Sequence, residues 1–320
     1  MAEAAALLVL AGLAVPHALP LARVTPAAAG SVWIAALALR AVLVVGLALA
    51  ALLLLPATEL FEHVAAWSAH LRAGSGDVQL SGEPVAHLAA LGPPALIALW
   101  LVSFAVRLGH AGLALRRQIA RRTLGSGPGG SLVIADPALV VAVPRLGRRR
   151  IVLSDRALAE LDTAELEACL AHEAGHLRRG HRALGLIGTC LAELARPIPG
   201  TRAARRGLLL SLERDADEYS VAKARDPLAL ASAICKVAGI NERSPCALAA
   251  YGLAGGELRT RLDGLLAGGR LRGSVAVERG VLALAIVMPV LVTVSMLGFG
   301  VWLWDALPPA ALSAAFSCPH

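Results

Sequence analysis

Four stretches of the chain keep an apolar character over lengths close to the roughly 20 residues that an α-helix needs to cross a bilayer core of about 30 Å. They are Ala4 to Ala22, interrupted by Pro16, His17 and Pro20; Val32 to Leu55, with Arg40 inside it; Leu88 to Val106, with Pro93 and Pro94 near its start; and Val281 to Trp304. In the last of these, Trp302 and Trp304 stand where an interfacial aromatic belt is expected. No basic residue precedes Arg23, so the first run lacks the positive region of a secretory signal and is expected as a retained helix. The expected membrane region is 1–108, with helices at about 4–22, 32–55 and 88–106 and an outward loop at 56–87. A fourth helix at about 281–304 and a short outward tail make up 280–320.

Between the third and fourth runs, over 109–279, the pattern changes to short elements. "LGHAGLALRRQIARR" continues the third helix, and "TLGSGPGG" (Thr123 to Gly130) reads as a flexible linker. Three β-branched runs follow, Leu132 to Ala135, Ala138 to Pro144 and Arg150 to Leu153, and they predict a small sheet. Ser154 with Asp155 is placed to cap a short helix, and Asp162 with Glu165 three residues on has the form of a capping box for a longer one. Gly180 ends or kinks that helix. "ALGLIGTCLAELA" (Ala183 to Ala195) is helical but too short to span, and Pro197, Pro199 and Gly200 stop it. Helices at about Ala203 to Ala224, at "PLALASAICKVAGI" and at "GELRTRLDGLLA" lead back to the membrane.

Composition agrees with a membrane protein: 57% of the 320 residues are hydrophobic and the mean hydropathy is +0.67. Charge adds an orientation. Of 30 Lys and Arg, 27 lie between Arg107 and Arg279, against 17 acids, so that segment carries +10 and the remainder −3. The positive-inside tendency makes the segment cytoplasmic. The outward loop holds one Arg, at 72, against Glu59, Glu62, Asp77 and Glu83. With few aromatics and no reading module, the basic balance excludes a nucleic-acid partner; clusters such as Arg116-Arg117, Arg121-Arg122 and Arg148 to Arg150 suit anionic lipid of the bilayer instead. Arg40 is expected to snorkel or to pair with an acid from another helix. The five cysteines are odd in number and lack Cys-x-x-Cys spacing, so no disulfide framework or thiolate metal site is indicated; Cys169, Cys190 and Cys235 are expected as small buried residues in a reducing compartment.

The chemistry lies in "CLAHEAGHLRRGHRAL", Cys169 to Leu184. Residues four apart on a helix share a face, so His172 and His176 can converge on one ion, and zinc accepts imidazole nitrogen at about 2.0 to 2.1 Å. Glu173 is placed to act as the general base on a water molecule. A third ligand is required. His181 is out of register for the metzincin pattern, whose Gly and third His fall here on Arg179 and Arg182. In "LERDADEY", Glu213 and Asp217 are four apart, so one face can offer Glu213 to zinc while Asp217 accepts the free N–H of a ligand histidine.

With both motifs in hand, "RRRIVLSDRALAELDTAELEACLAHEAGHLRRGH" followed by "LERDAD" resembles the membrane-embedded zinc metallopeptidases of the beta-lactam-sensor antirepressor type and their HtpX-type cousins. The resemblance covers roughly Leu132 to Ala224. It implies a multi-pass α-helical membrane protein with an inserted α+β minimal gluzincin domain, with Zn2+ held by His172, His176 and Glu213, Glu173 as general base and Asp217 behind the ligands. It also implies a protein substrate, either a regulator such as a transcriptional repressor or, in the quality-control mode, a damaged membrane protein. The antirepressor sensors carry a ligand-binding domain after the last membrane helix, where about fifteen residues stand here, so direct antibiotic sensing is not expected. Of the HtpX-type downstream signature only Arg261 matches, and it reads equally as a solvated helix Arg. Tyr219, Tyr251, His181 and Arg261 are each available to stabilise an oxyanion or to pack. A non-catalytic zinc scaffold is the third reading, disfavoured because a structural site needs no base such as Glu173.

Overall fold

The computed structural model describes residues 2–54, 83–144, 150–241, 255–267 and 275–306. Most of the outward loop, Arg148 and Arg149, Tyr251 and the tail lie outside the described residues. Apolar helices come first: α1 (Ala2–Ala18), α2 (Pro26–Leu54) and α3 (Glu83–Arg122). Among the described residues, three helices are long and apolar enough to cross a membrane, over Pro26–Ala50, Ala95–Arg122 and Val275–Ser295. The third belongs to α10 (Val275–Ala306). Helix α1 stops at Ala18, two residues after Pro16, and at 1.5 Å per residue its 17 residues extend about 25 Å. The first run is thus shorter than expected at its C-terminal end, where Leu21–Arg23 form a separate 3-10 turn.

Helix α3 runs unbroken through Pro93 and Pro94 for 40 residues, about 60 Å, twice a bilayer core. Its flank exposes Leu96, Leu99, Val102 and Val106, and α10 exposes Ile286, Val287, Val290 and Val294. Water would oppose so much uncovered apolar surface; lipid accommodates it. Helix α2 differs. It packs on α1, α3 and α10 and also on helices of the 181–224 segment, through Leu37, Ala192, Ala204, Leu208 and Leu212.

After α3 comes a four-stranded sheet of β1 (Thr123–Ser126), β2 (Leu132–Ile134), β3 (Val141–Ala142) and β4 (Val152–Ser154), in the order β1-β2-β4-β3. The segment expected as a linker is therefore an edge strand. β1 pairs antiparallel with β2, and a tight turn at Pro128–Gly130 joins them. Hydrogen bonding needs only backbone, so small residues that gave no hydrophobic signal pair nonetheless. β2 and β4 are parallel, and β3 closes the opposite edge antiparallel to β4.

Ser154 ends β4 and caps α4 (Asp155–Glu160), its hydroxyl accepting from the Ala157 amide. Helix α5 (Thr163–Arg178) opens on a capping box: the Glu165 amide donates to Asp162 at 2.8 Å and the Asp162 amide to Glu165 at 2.9 Å. Then follow α6 (His181–Leu194), α7 (Thr201–Ala224), α8 (Pro227–Asn241) and α9 (Gly255–Leu266). Sheet and helices share a core of Leu139, Val141, Leu153, Leu161, Cys169 and Ala233, and α5, α8 and α9 share a second around Ala168, Leu230, Ile234 and Leu265.

Two expectations are corrected here. Cys169 is buried, but Cys190 and Cys235 are exposed. The buried stripe of α6 runs through His181, Gly185, Gly188 and Ala192, and Cys190 falls between its rows; Cys235 faces away from the Leu230, Ala233 and Ile234 side of α8. Arg40 does not snorkel, and among the described residues it pairs with no acid. It is 1% exposed, and its guanidinium donates to the carbonyls of Ala36 at 3.0 Å, Leu13 at 2.8 Å and Pro199 at 3.4 Å, with the His17 ring 3.1 Å away.

Candidate metal centre

Helices α5 and α7 cross where the two motifs meet. Gly175, between the two histidines, permits the approach: a Cβ there would stand 3.1 Å from the Tyr219 ring. Tyr219 accordingly packs behind α5, with the Arg179 guanidinium 5.5 Å from its ring centre.

The crossing brings donor atoms of His172, His176 and Glu213 within 4.8 Å of one another. The two Nε2 atoms are 3.1 Å apart, and Glu213 lies 3.4 Å from His172 Nε2 and 3.6 Å from His176 Nε2. Two imidazole nitrogens and a carboxylate gathered this closely form a donor set that suits Zn2+, and the residues present fit such an ion. Asp217 Oδ1 stands 2.9 Å from His172 Nδ1, behind the ligand ring.

Arg261 is not solvated. It is buried, donating from Nε at 2.9 Å and Nη2 at 2.7 Å to both Asp217 oxygens, and Nη1 lies 3.1 Å from Glu213. Reading α9 in isolation missed this because the partners lie on α7, Asp217 being 44 residues away and Glu213 further still. Burial alone would push Glu213 and Asp217 up; the Arg261 charge and the His172 contacts outweigh it and hold both carboxyls below the usual range. Burial would lower His172, but Asp217 and Glu213 raise it, whereas burial and the nearby His172 lower His176.

Glu173 lies on the same turn of α5 and is positioned by the sheet. The Val143 amide, next after β3, donates to its Oε2 at 2.7 Å. Burial, reinforced by Glu213, raises its carboxyl to about 7, against the pull of His172 and of that amide. A carboxyl balanced near neutrality can both take and return a proton. These groups open into a cavity of about 750 Å³, walled by β3, by Leu209 and Leu212 of α7, by Leu230, Ile234 and Val237 of α8, and by Leu115 and Ile119 on the extension of α3.

His181 is not among the convergent donors. Its Nδ1 lies 3.0 Å from His176 Nδ1, on the far side of that ring, and its Nε2 lies 2.8 Å from Asp215 Oδ2. Asp215 also pairs with Arg179, whose Nη1 donates to the Asp215 carbonyl at 3.1 Å. Asp215 and Val143 were absent from the sequence reading. A position two from Glu213 points about 200° around the helix, so periodicity offered no link to the site.

Residues 142–208 match the model of Peptidase family M48. The matched segment includes His172, Glu173 and His176 and ends before Glu213. Searches of curated proteins and of solved structures return no match. The match and the His172, His176 and Glu213 group together support a metallopeptidase of the M48 type, and the long apolar helices support a membrane protein.

Proposed function

We propose that the chain is an integral, multi-pass membrane zinc endopeptidase of gluzincin type, related to the antirepressor and HtpX-type enzymes. Its catalytic segment lies on the cytoplasmic side, and it cleaves a cytoplasmic or membrane-proximal protein. The observation that carries this reading is the convergence of His172, His176 and Glu213 beside a buried carboxylate, Glu173, at a cavity large enough for a peptide. His172, His176 and Glu213 hold the ion and Asp217 orients the His172 ring. Zinc, when bound, polarises the scissile carbonyl and acidifies a water molecule. Glu173 takes the proton from the attacking water and returns it to the leaving amine, and the Val143 amide keeps its carboxylate aimed. β3 is an edge strand, so an extended substrate can add beside it. The concentration of Lys and Arg between Arg107 and Arg279 supports a cytoplasmic side and contact with anionic lipid.

The test is a pair of measurements on the full chain in detergent. Wild type should hold one zinc per chain and cleave a casein-type reporter in a chelator-sensitive way, while Glu173→Gln keeps the zinc and loses cleavage by a factor of about 10³ or more. Substoichiometric zinc in wild type, or full activity in Glu173→Gln, overturns the reading. Comparing proteomes of wild-type and Glu173→Gln cells separates the substrates. One stabilised regulator indicates signalling, and many stabilised membrane proteins indicate quality control.

A further inference from the structure

We propose that His181 and Asp215 are positioning residues that lock His176 in the one ring tautomer a metal can use. The inference rests on the zinc reading above and concerns the side of the site away from the ion.

His176 faces His172 and Glu213 through Nε2, so Nε2 must offer its lone pair. A neutral imidazole carries a single N–H, which must then sit on Nδ1. That nitrogen lies 3.0 Å from His181 Nδ1. Two nitrogens at this distance share one proton. His176 donates it, His181 Nδ1 accepts it, and the N–H of His181 is thereby fixed on Nε2. Nε2 finds an acceptor in Asp215 Oδ2 at 2.8 Å. Each ring's tautomer is dictated by the next group, and the chain ends in the Asp215 carboxylate, which also pairs with Arg179. His181 is 5% exposed and Asp215 7%, so solvent does not compete for these bonds.

The backbone makes this possible at Gly180, whose φ of 71° and ψ of 20° lie in the left-handed region. A continuous helix would turn His181 about 140° away from His176. The break at Gly180 folds α6 back, and its first residue meets the far edge of the His176 ring. The two ligand histidines are thus supported differently: His172 has a carboxylate, Asp217, directly behind it, and His176 reaches its carboxylate through a second imidazole.

The experiment uses the full chain in detergent, with zinc affinity measured by chelator competition, the visible spectrum of the Co2+-loaded protein, and the melting of the metal-free protein. His181→Phe keeps the ring volume and removes the acceptor; zinc affinity should fall about 10- to 100-fold and the cobalt bands should shift. His181→Asn returns an oxygen near the place of Nδ1 and should recover most of the loss. Asp215→Ala leaves the His181 ring in place and should weaken zinc in the same direction, which keeps the test open if His181→Phe does not fold. Wild-type affinity and spectrum in His181→Phe or in Asp215→Ala overturn the proposal. So does an equal loss in His181→Phe and His181→Asn that tracks lower melting of the metal-free forms, which marks packing alone. Failure of wild type itself to bind zinc defeats the zinc reading first, and this inference with it.

Discussion

Two buried arginines of this molecule are satisfied in opposite ways. Arg261, beside the candidate metal centre, is clasped by the carboxylates of Asp217 and Glu213. Arg40, in the apolar helix α2, is clasped by neutral carbonyl oxygens of Ala36, Leu13 and Pro199, which belong to α2 itself, to α1 and to the turn before α7. The difference reflects what each guanidinium does. Arg261 neutralises two carboxylates that the site crowds around its histidines, so its charge is the useful property. Arg40 uses the geometry of its five donors to tie three backbone segments together where few other polar groups reach. Through the Pro199 turn it joins the membrane helices to α7, the helix that carries Glu213.

Substitution separates the two arginines most sharply at Arg261. Arg261→Met leaves buried Asp217 and half-buried Glu213 beside each other without their cation, and removing one partner of a buried ion pair such as Arg261–Asp217 costs about 3–5 kcal/mol. The metal-free protein should melt far below wild type and lose protease activity, as read by thermal unfolding and reporter cleavage in detergent. Arg40→Met should cost less, about 1–3 kcal/mol, because it strands carbonyls rather than charges. Its damage should appear as faster hydrogen exchange at the end of α1 and at the amides of Ile198 and Gly200, with the zinc stoichiometry intact. Equal destabilisation by the two substitutions would show that the distinction between charge pairing and carbonyl tethering is false.

Glu165 calibrates the scale with the smallest effect. Burial would raise its carboxyl, but Lys236 at 2.6 Å, Ser232 at 2.6 Å and the Asp162 amide lower it below its ordinary 4.5. A carboxyl depressed by folding contributes stability that is present above pH 4.5 and is lost as pH falls through its lower folded value. Lys236→Ala should therefore destabilise slightly near neutral pH and move acid unfolding to higher pH, measured by circular dichroism. Its half-exposed lysine keeps this effect below that of either buried arginine. An acid transition unchanged by the substitution would remove Glu165 from the series.

Much of this arrangement was legible along the chain, because the signals are local. The capping box at Asp162 and Glu165, the cap at Ser154, the stop around Pro197 to Gly200 and the apolar lengths of α2, α3 and α10 each depend on residues within a turn or on composition. The four-residue spacings of His172 with His176 and of Glu213 with Asp217 put each pair on one helix face. What escaped was β1, whose Gly-rich strand carries no side-chain pattern, and the roles of Arg40, Arg261, His181 and Asp215.

These four share a physical cause. The sequence alone determined which side chains each helix presents on a common face, since helical periodicity follows from backbone geometry within a few residues. Only the tertiary structure decided what meets those faces. Arg261 finds Asp217 across 44 residues, Arg40 finds the Pro199 carbonyl across 159, and Asp215 finds His181 across 34. Even His181, five residues from His176, depends on the left-handed turn at Gly180, whose φ of 71° undoes the periodicity from which its place was read. Contacts between elements depend on how whole helices cross and pack, and no local spacing encodes that.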